Sequence, residues 1–160
     1  IVYLAVSSDV KVGVTRKTQV PTRWIDQGAS LAMPVVEVPN RYLAGITEVA
    51  LKEFLNDKTD WRKMLTTPKN TINLMEVFES VRKHIPEEAR PYIVASEDTL
   101  MEIKYPLNNP PQKVKSINLS KANEFRGKLA GIKGQYLIFE DQSVLNVRNN
   151  EGFFVDLSIL

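Results

Sequence analysis

The strongest constraint on the fold of this chain is the pattern of its first 15 residues. Residues 1–7 and 10–15 are two short runs in which valine and leucine alternate with other residues, and a Ser-Ser-Asp turn lies between them. A slip of one residue would move every side chain to the other face, so matching the two apolar faces places Tyr3 opposite Gly13. The sequence therefore predicts a hairpin whose second, outward face carries Tyr3, Lys11, Gly13 and Thr15.

Gly13 is the unusual residue of this outward face. A glycine weakens a strand unless another group must approach the backbone closely. A phosphate-sized ligand is one candidate for that approach, and it would lie beside the ammonium of Lys11. The alternative is a half-exposed hairpin with ordinary polar residues on its outer side, and the hairpin alone leaves both interpretations open.

Composition admits a packed core and excludes several kinds of site. Of the 160 residues, 43% are hydrophobic and 25% are charged, with 21 Lys and Arg against 19 Asp and Glu. The absence of cysteine excludes disulfides, thiolate metal sites and a cysteine nucleophile, and a single histidine, His84, excludes a histidine cluster. No apolar run approaches the ~18 residues that span a bilayer, and no signal peptide is visible. We therefore predict a cytoplasmic protein with no membrane partner, of undetermined oligomeric state.

The pattern along the chain predicts three parts. Residues 1–66 alternate strand and helix signals, which indicates an α/β unit. Residues 67–112 open with Pro68-Lys69-Asn70 and carry a second amphipathic helix, which indicates a helical connector. Residues 113–160 contain short strand-like runs separated by turn signals, which indicates an antiparallel β-meander.

Asn40 is a favourable N-cap for a helix over residues 41–55. At 100° per residue the buried stripe of this helix is predicted to contain Leu43, Ile46, Ala50 and Phe54. Glu48 then falls on the opposite side. It would either pair with Lys52 four residues later, as many surface residues do, or offer a carboxylate to a hard cation such as Mg²⁺.

The order of these residues resembles the GIY-YIG nuclease superfamily. In that superfamily a hairpin carries two tyrosine-bearing tripeptides, a following helix carries an arginine, and a later helix carries a metal-binding glutamate. Here Tyr3 is followed by Lys-Val-Gly at 11–13, by Arg23 and by Glu48. The Lys-Val-Gly tripeptide is similar to a Lys-Ile-Gly form found in some branches.

A narrower resemblance, to an uncharacterised bacterial domain-of-unknown-function family, covers nearly the whole chain. The stretches that carry it are Val12–Arg16, Pro21–Ala29, Arg41–Gly45, Asp60–Leu65 and Gly131–Leu137. Longer members of that family are expected to carry a cysteine-rich, zinc-binding segment upstream. The start at Ile1, without a methionine and inside a strand-like run, fits the expectation that this chain is a trimmed fragment.

The nuclease resemblance implies an α+β fold and a set of roles. The fold would be a GIY-YIG-like small mixed sheet with helices, followed by the helical connector and a C-terminal antiparallel β-module. Tyr3 would lie near the scissile phosphate, Arg23 would stabilise charge on the phosphoryl oxygens, and Glu48 would hold one Mg²⁺. Lys11 replaces the second motif tyrosine, so it would act as general base or grip phosphate. The substrate-binding set would be Gly13, Thr15 and Arg16.

These observations support three hypotheses about function. The chain is a Mg²⁺-dependent phosphodiesterase acting on nucleic acid, a non-catalytic module that binds nucleic acid or a ribonucleoprotein, or a structural domain that serves a partner protein. The first hypothesis requires Tyr3, Lys11, Arg23 and Glu48 to converge on one pocket. Salt-sensitive association would indicate phosphate contacts, whereas salt-independent association would indicate a protein partner.

Overall fold

The computed structural model describes residues 1–55, 59–67, 72–121 and 124–159, and it contains two four-stranded sheets. The strands are β1 (Val2–Val6), β2 (Val10–Val14), β3 (Leu31–Val36), β4 (Met101–Glu102), β5 (Lys115–Ser116), β6 (Leu129–Lys133), β7 (Tyr136–Phe139) and β8 (Ser143–Asn146). The α-helices are α1 (Thr22–Asp26), α2 (Arg41–Lys52), α3 (Trp61–Thr66) and α4 (Leu74–Val81). Short 3₁₀ helices lie at Lys17–Gln19, Arg82–His84, Glu87–Tyr92, Glu97–Thr99 and Arg148–Asn150.

The first sheet has the order β2-β1-β3-β4, and every pair in it is antiparallel. The predicted hairpin register is confirmed, since Tyr3 pairs with Gly13. The expectation of a mixed first sheet is wrong. β2 and β3 both run opposite to the central strand β1, so the connection through α1 must cross β1 on one face of the sheet.

One face of this sheet, which we call the aliphatic face, is formed by Val2, Leu4, Val6 and Val12. Helices α2 and α4 cover it, and Ala44 of α2 shares its core. Asn40 caps α2 as expected, because its Oδ1 accepts the Leu43 N–H at 2.9 Å. The predicted buried stripe is wrong: α2 buries Ala44, Thr47 and Leu51. The small side chains of Ala44 and Thr47 let the helix approach the sheet, and Phe54 falls beyond the helix and is half exposed.

The opposite face, which we call the mixed face, carries Tyr3 and Ala5 of β1 and Lys11 and Gly13 of β2. The α1 crossover places Trp24 over it, and the Tyr3 and Trp24 ring centroids lie 5.8 Å apart. Tyr3 is therefore only 2% exposed. The expectation that this face points outward is wrong at β1, because the crossover buries it as fully as the aliphatic face.

The second sheet has the order β5-β8-β7-β6. Strands β6, β7 and β8 form the predicted antiparallel meander, but β5 pairs with β8 in parallel. A purely antiparallel C-terminal module is therefore the wrong expectation, since β5 and β6 lie at opposite edges of the sheet and β5 runs parallel to β8. Residues 153–157, in the part predicted to be a β-meander, are exposed and form no strand.

The two sheets are joined through α3. Met64 and Leu65 of α3 share a core cluster with Tyr136, Ile138 and Val144 of the second sheet. Helix α4, from the expected connector, packs into the core of the first sheet instead of lying between the sheets. The three-part division at 66 and 112 stays a prediction. Within the described ranges, no helix is both long enough and apolar enough to cross a bilayer.

Candidate functional site

Lys11 is the centre of the candidate site. It projects from β2 on the mixed face, where its backbone pairs with Ala5. Its Nζ donates a hydrogen bond to Thr59 Oγ1 at 3.0 Å. Burial, reinforced by the neighbouring Arg23 cation, lowers the pKa of Lys11 to about 8. At neutral pH the side chain is therefore mostly charged, but the free energy of its charged form is higher in the folded protein than in water.

Arg23 supplies the second cation of the site. It lies on α1, directly before the buried Trp24, and its own side chain is exposed. Among the described residues, neither Arg23 nor Lys11 forms an ion pair with a carboxylate. Two cations that repel each other, with no ion-pair partner among the described carboxylates, create a local potential that attracts an anion.

The ring of Tyr3 occupies the space beside Gly13, which accounts for a glycine at this position of the strand. A Cβ at Gly13 would lie 2.6 Å from the phenol oxygen of Tyr3. The Tyr3 ring therefore fills the space that a side chain at position 13 would need. This is the close approach that a strand glycine indicates, and the approaching group is part of the chain. Gln27 holds the phenol: its Nε2 donates to Tyr3 Oη at 2.6 Å and to the Arg23 carbonyl at 3.0 Å.

The start of α3 places Thr59 beside Lys11. Asp60 caps α3 by accepting the N–H groups of Arg62 and Lys63 at 2.9 and 3.2 Å. The Asp60 N–H donates to Ser8 Oγ at 3.0 Å, and Lys63 Nζ pairs with Asp9 at 2.7 Å. Helix α3 is therefore tied to the turn of the first hairpin, on the same side of the sheet as α1.

Five residues thus form one cluster on the mixed face, which we call the Lys11 site: Tyr3, Lys11, Arg23, Gln27 and Thr59. Sequence reasoning missed Gln27 and Thr59. Gln27 carried a usable signal, because it lies four residues after Arg23, directly after the short helix α1. No spacing rule connects Thr59 with Lys11, which lies 48 residues earlier.

Glu48 lies elsewhere. Its helix, α2, packs on the aliphatic face, whereas Tyr3 and Lys11 belong to the mixed face. The Glu48 carboxylate pairs with Lys52 Nζ at 3.3 Å, which is the surface pair that the sequence offered as an alternative. The structure therefore brings together three of the four predicted catalytic residues and places Glu48 on a helix at the opposite face.

The expectation that Glu48 holds Mg²⁺ stays a prediction, and it concerns the residues near Glu48. The part of the chain that the structure describes contains no group of three or more His, Cys, Asp or Glu residues that could hold a metal ion. Glu48 itself is engaged by a cation, Lys52. These neighbours do not fit a Mg²⁺ ion, which prefers several oxygen ligands and is repelled by an ammonium.

The predicted binding residues Thr15 and Arg16 lie at the far end of β2. The Thr15 N–H donates to the Ile1 carbonyl at 2.9 Å, and the Ile1 ammonium donates to the Thr15 carbonyl at 2.8 Å. Arg16 is exposed and precedes the 3₁₀ helix Lys17–Gln19. In the described part of the chain, neither side chain has a hydrogen bond or ion pair with the Lys11 site. Their role in binding stays a prediction.

The comparisons with known proteins agree with the narrower of the two resemblances. The model of a family described as "Protein of unknown function (DUF2797)" matches residues 1–155, which include both sheets. No curated protein and no solved structure matches the chain. The predicted membership of a family of unknown function is therefore confirmed, and the resemblance to GIY-YIG nucleases stays a prediction.

Proposed function

The chain belongs to the DUF2797 family, and we propose that it binds nucleic acid by holding a backbone phosphate at the Lys11 site. The observation that carries this proposal is the pair of cations, Lys11 and Arg23, on one side of the sheet without a carboxylate partner among the described residues. A folded protein that holds two repelling cations together is stabilised when an anion binds between them.

The donors at this site suit a phosphodiester. The Arg23 guanidinium offers a planar fork of N–H groups that matches two phosphate oxygens, and the Lys11 ammonium adds a point charge. Thr59 orients that ammonium through the 3.0 Å hydrogen bond. The amide of Gln27 is occupied by Tyr3 and by the Arg23 carbonyl, so Gln27 acts as a support for the site.

Phosphodiester cleavage is a second candidate function, favoured by one observation. The pKa of about 8 leaves roughly a tenth of Lys11 as free amine at pH 7, and a free amine can act as a base. Lys11 would take a proton from water as the water oxygen bonds to phosphorus, and the leaving oxygen would take a proton from solvent. Arg23 would stabilise the charge on the phosphoryl oxygens.

Binding without cleavage is the better supported of the two. The nuclease resemblance assigns the metal to Glu48, but that residue pairs with Lys52 on the helix that covers the aliphatic face. Among the described residues of the Lys11 site, Lys11 and Arg23 supply the charges that hold a phosphate, and Lys11 is the group whose lowered pKa favours proton transfer.

The binding proposal is tested by titrating fluorescently labelled oligonucleotides with the wild type, Lys11→Met and Arg23→Gln. Each variant is expected to bind about tenfold more weakly, which corresponds to ~1.4 kcal/mol, with a shallower dependence on salt. Lys52→Met removes the same charge from the aliphatic side and is expected to bind like the wild type. Unchanged affinity in both site variants, or association that does not respond to salt, would contradict phosphate binding at this site.

Cleavage is tested on the same oligonucleotides with and without Mg²⁺, using Glu48→Gln as the control for the metal. The binding proposal expects intact strands in every case. Product that depends on Lys11 and not on Glu48 would establish the second candidate. Product that requires both Mg²⁺ and Glu48 would support the nuclease assignment of Glu48 against the geometry described above.

A further inference from the structure

A layer of flat side chains lies next to the Lys11 site, at the start of α3. The Trp61 and Tyr136 rings are nearly parallel, with an angle of 10° and centroids 5.6 Å apart. The guanidinium carbon of Arg62 lies 4.3 Å from the centroid of the Trp61 ring. We call these three residues the α3 stack.

The α3 stack is anchored on one side and open on the other. Tyr136 is only 7% exposed and belongs to the core that joins the two sheets. Trp61 is half-buried against the same core, whereas Arg62 is exposed. In the described ranges Arg62 has no ion pair with a carboxylate, and its guanidinium carbon lies over the Trp61 ring.

The distance between the α3 stack and the Lys11 site is short. Thr59, whose hydroxyl accepts from Lys11 Nζ at 3.0 Å, precedes Trp61 by two residues. Consecutive Cα atoms are about 3.8 Å apart, so the backbone of residues 59 and 61 is separated by at most ~7.6 Å. The two groups of side chains therefore belong to one short segment at the start of α3.

We infer that the α3 stack receives a nucleobase while the Lys11 site holds the adjacent phosphate, so that the ligand is a single-stranded nucleic acid. This inference rests on the proposed function. Bases in a duplex are covered on both faces by their neighbours, whereas a single strand can present a base to an aromatic ring or to a guanidinium plane. The Arg62 cation also adds to the positive potential along the strand.

The alternative is that Arg62 merely covers the edge of the core at Trp61. In that case its charge would act on any phosphate backbone alike, and its planarity would be irrelevant. The test must therefore separate stacking from electrostatic attraction.

Three ligands make that separation: a single strand, the duplex of the same sequence, and a single strand of abasic sugar-phosphate with the same number of charges. We expect the base-bearing single strand to bind about tenfold more tightly than the other two at the same salt concentration. Tryptophan emission is expected to be quenched by that strand alone. Trp24 is 1% exposed, so a change in emission would report on Trp61, whose ring lies under the Arg62 guanidinium.

The variant Arg62→Lys keeps the charge and removes the plane. It is expected to lower the affinity for the base-bearing strand toward the abasic value and to leave the abasic affinity unchanged. Arg82→Lys is a matched control, because Arg82 is also exposed and its guanidinium lies 5.8 Å from the Phe78 ring on another part of the molecule. Arg62 is on the surface, and thermal unfolding checks that both variants fold.

The outcomes separate this inference from the function on which it rests. Equal affinities for the base-bearing and abasic strands, or tighter binding of the duplex, would overturn the inference while leaving phosphate binding intact. An Arg62→Lys variant that binds all three ligands like the wild type would overturn it as well. Failure of all three ligands to bind the wild type would instead overturn the proposed function.

Discussion

The two faces of the first sheet differ in what their burial achieves. On the aliphatic face, Leu4 and its neighbours are packed under α2 and α4, and the core there is hydrocarbon. On the mixed face, Tyr3 is packed as tightly under α1, but the rim holds Lys11 and Arg23. The same strand, β1, contributes side chains to both faces, because successive residues of a strand point in opposite directions.

Stability and the candidate function are therefore divided between the two sides of one sheet. Apolar burial stabilises the chain in proportion to the area removed from water, whichever side it occupies. Partial burial of an ammonium has the opposite effect, and the lowered pKa of Lys11 is its signature. The mixed face therefore contains a charged group, Lys11, whose partial burial lowers the stability of the fold.

The largest expected effect comes from removing a side chain of the aliphatic face. Leu4 is fully buried, so Leu4→Ala is expected to reduce the free energy of unfolding by about 2–5 kcal/mol through lost burial and a residual cavity. Urea denaturation measures the change. Because Leu4 points away from the Lys11 site, oligonucleotide affinity of the folded variant should stay unchanged. A loss below about 1 kcal/mol would contradict the close packing of this face.

Gly13→Ala tests the packing of the mixed face. Its new Cβ would meet the phenol of Tyr3 at 2.6 Å, so the ring must move, at an expected cost of about 1–3 kcal/mol. In a Tyr3→Ala background the obstacle is gone, and Gly13→Ala should then be nearly neutral. A double-mutant cycle by urea denaturation measures this coupling. Additive costs would mean that the Tyr3 ring does not lie over Gly13.

The smallest expected effect has the opposite sign. Lys11→Met replaces a partly desolvated ammonium with an apolar chain of similar length, so it should stabilise the fold by about 1 kcal/mol at neutral pH, after allowance for solvent screening. Thermal or urea unfolding measures it, and Lys52→Met, at an exposed ion pair, should stay within about 0.5 kcal/mol of the wild type. A destabilised Lys11→Met would mean that the hydrogen bond to Thr59 outweighs the desolvation.

The gain from Lys11→Met depends on pH in a defined direction. Between about 8, the folded pKa, and 10.5, the ordinary value, the unfolded wild type binds more protons than the folded wild type. Wild-type stability therefore rises with pH in this window, and the advantage of the methionine variant should be complete below pH 8 and shrink above it.

Local patterns in the sequence predicted part of this structure. The alternation of residues 1–15 was enough to give the register of Tyr3 against Gly13, and Asn40 was enough to locate the start of α2. The same patterns could not decide which side of α2 is buried, because apolar residues occur on more than one of its faces. The choice of Ala44 and Thr47 follows from how closely the helix can approach the sheet.

The candidate site was predicted only where its residues share a strand or a neighbouring helix. Strand alternation places Tyr3 and Lys11 on one face of the hairpin, whereas Arg23 was predicted from the resemblance to GIY-YIG nucleases and lies on the crossover helix α1. Thr59 lies in the site through a contact between segments that are distant in sequence. Glu48 lies outside it, where it pairs with Lys52, and this too depends on how distant segments pack. Both outcomes depend on helices that can pack on either side of a sheet without any change in their own sequence pattern.

Local sequence was enough to predict that β1 pairs with β2 and that their side chains divide between two faces, since side chains of an extended backbone alternate with a period of two. Tertiary structure alone decided that α1 and α3 cover the set containing Tyr3 and Lys11, and that α2 covers the other set. The free energy gained by burying apolar area is the same on either face of a sheet. Which helix covers which face therefore depends on the lengths of the connections and on how well the surfaces pack.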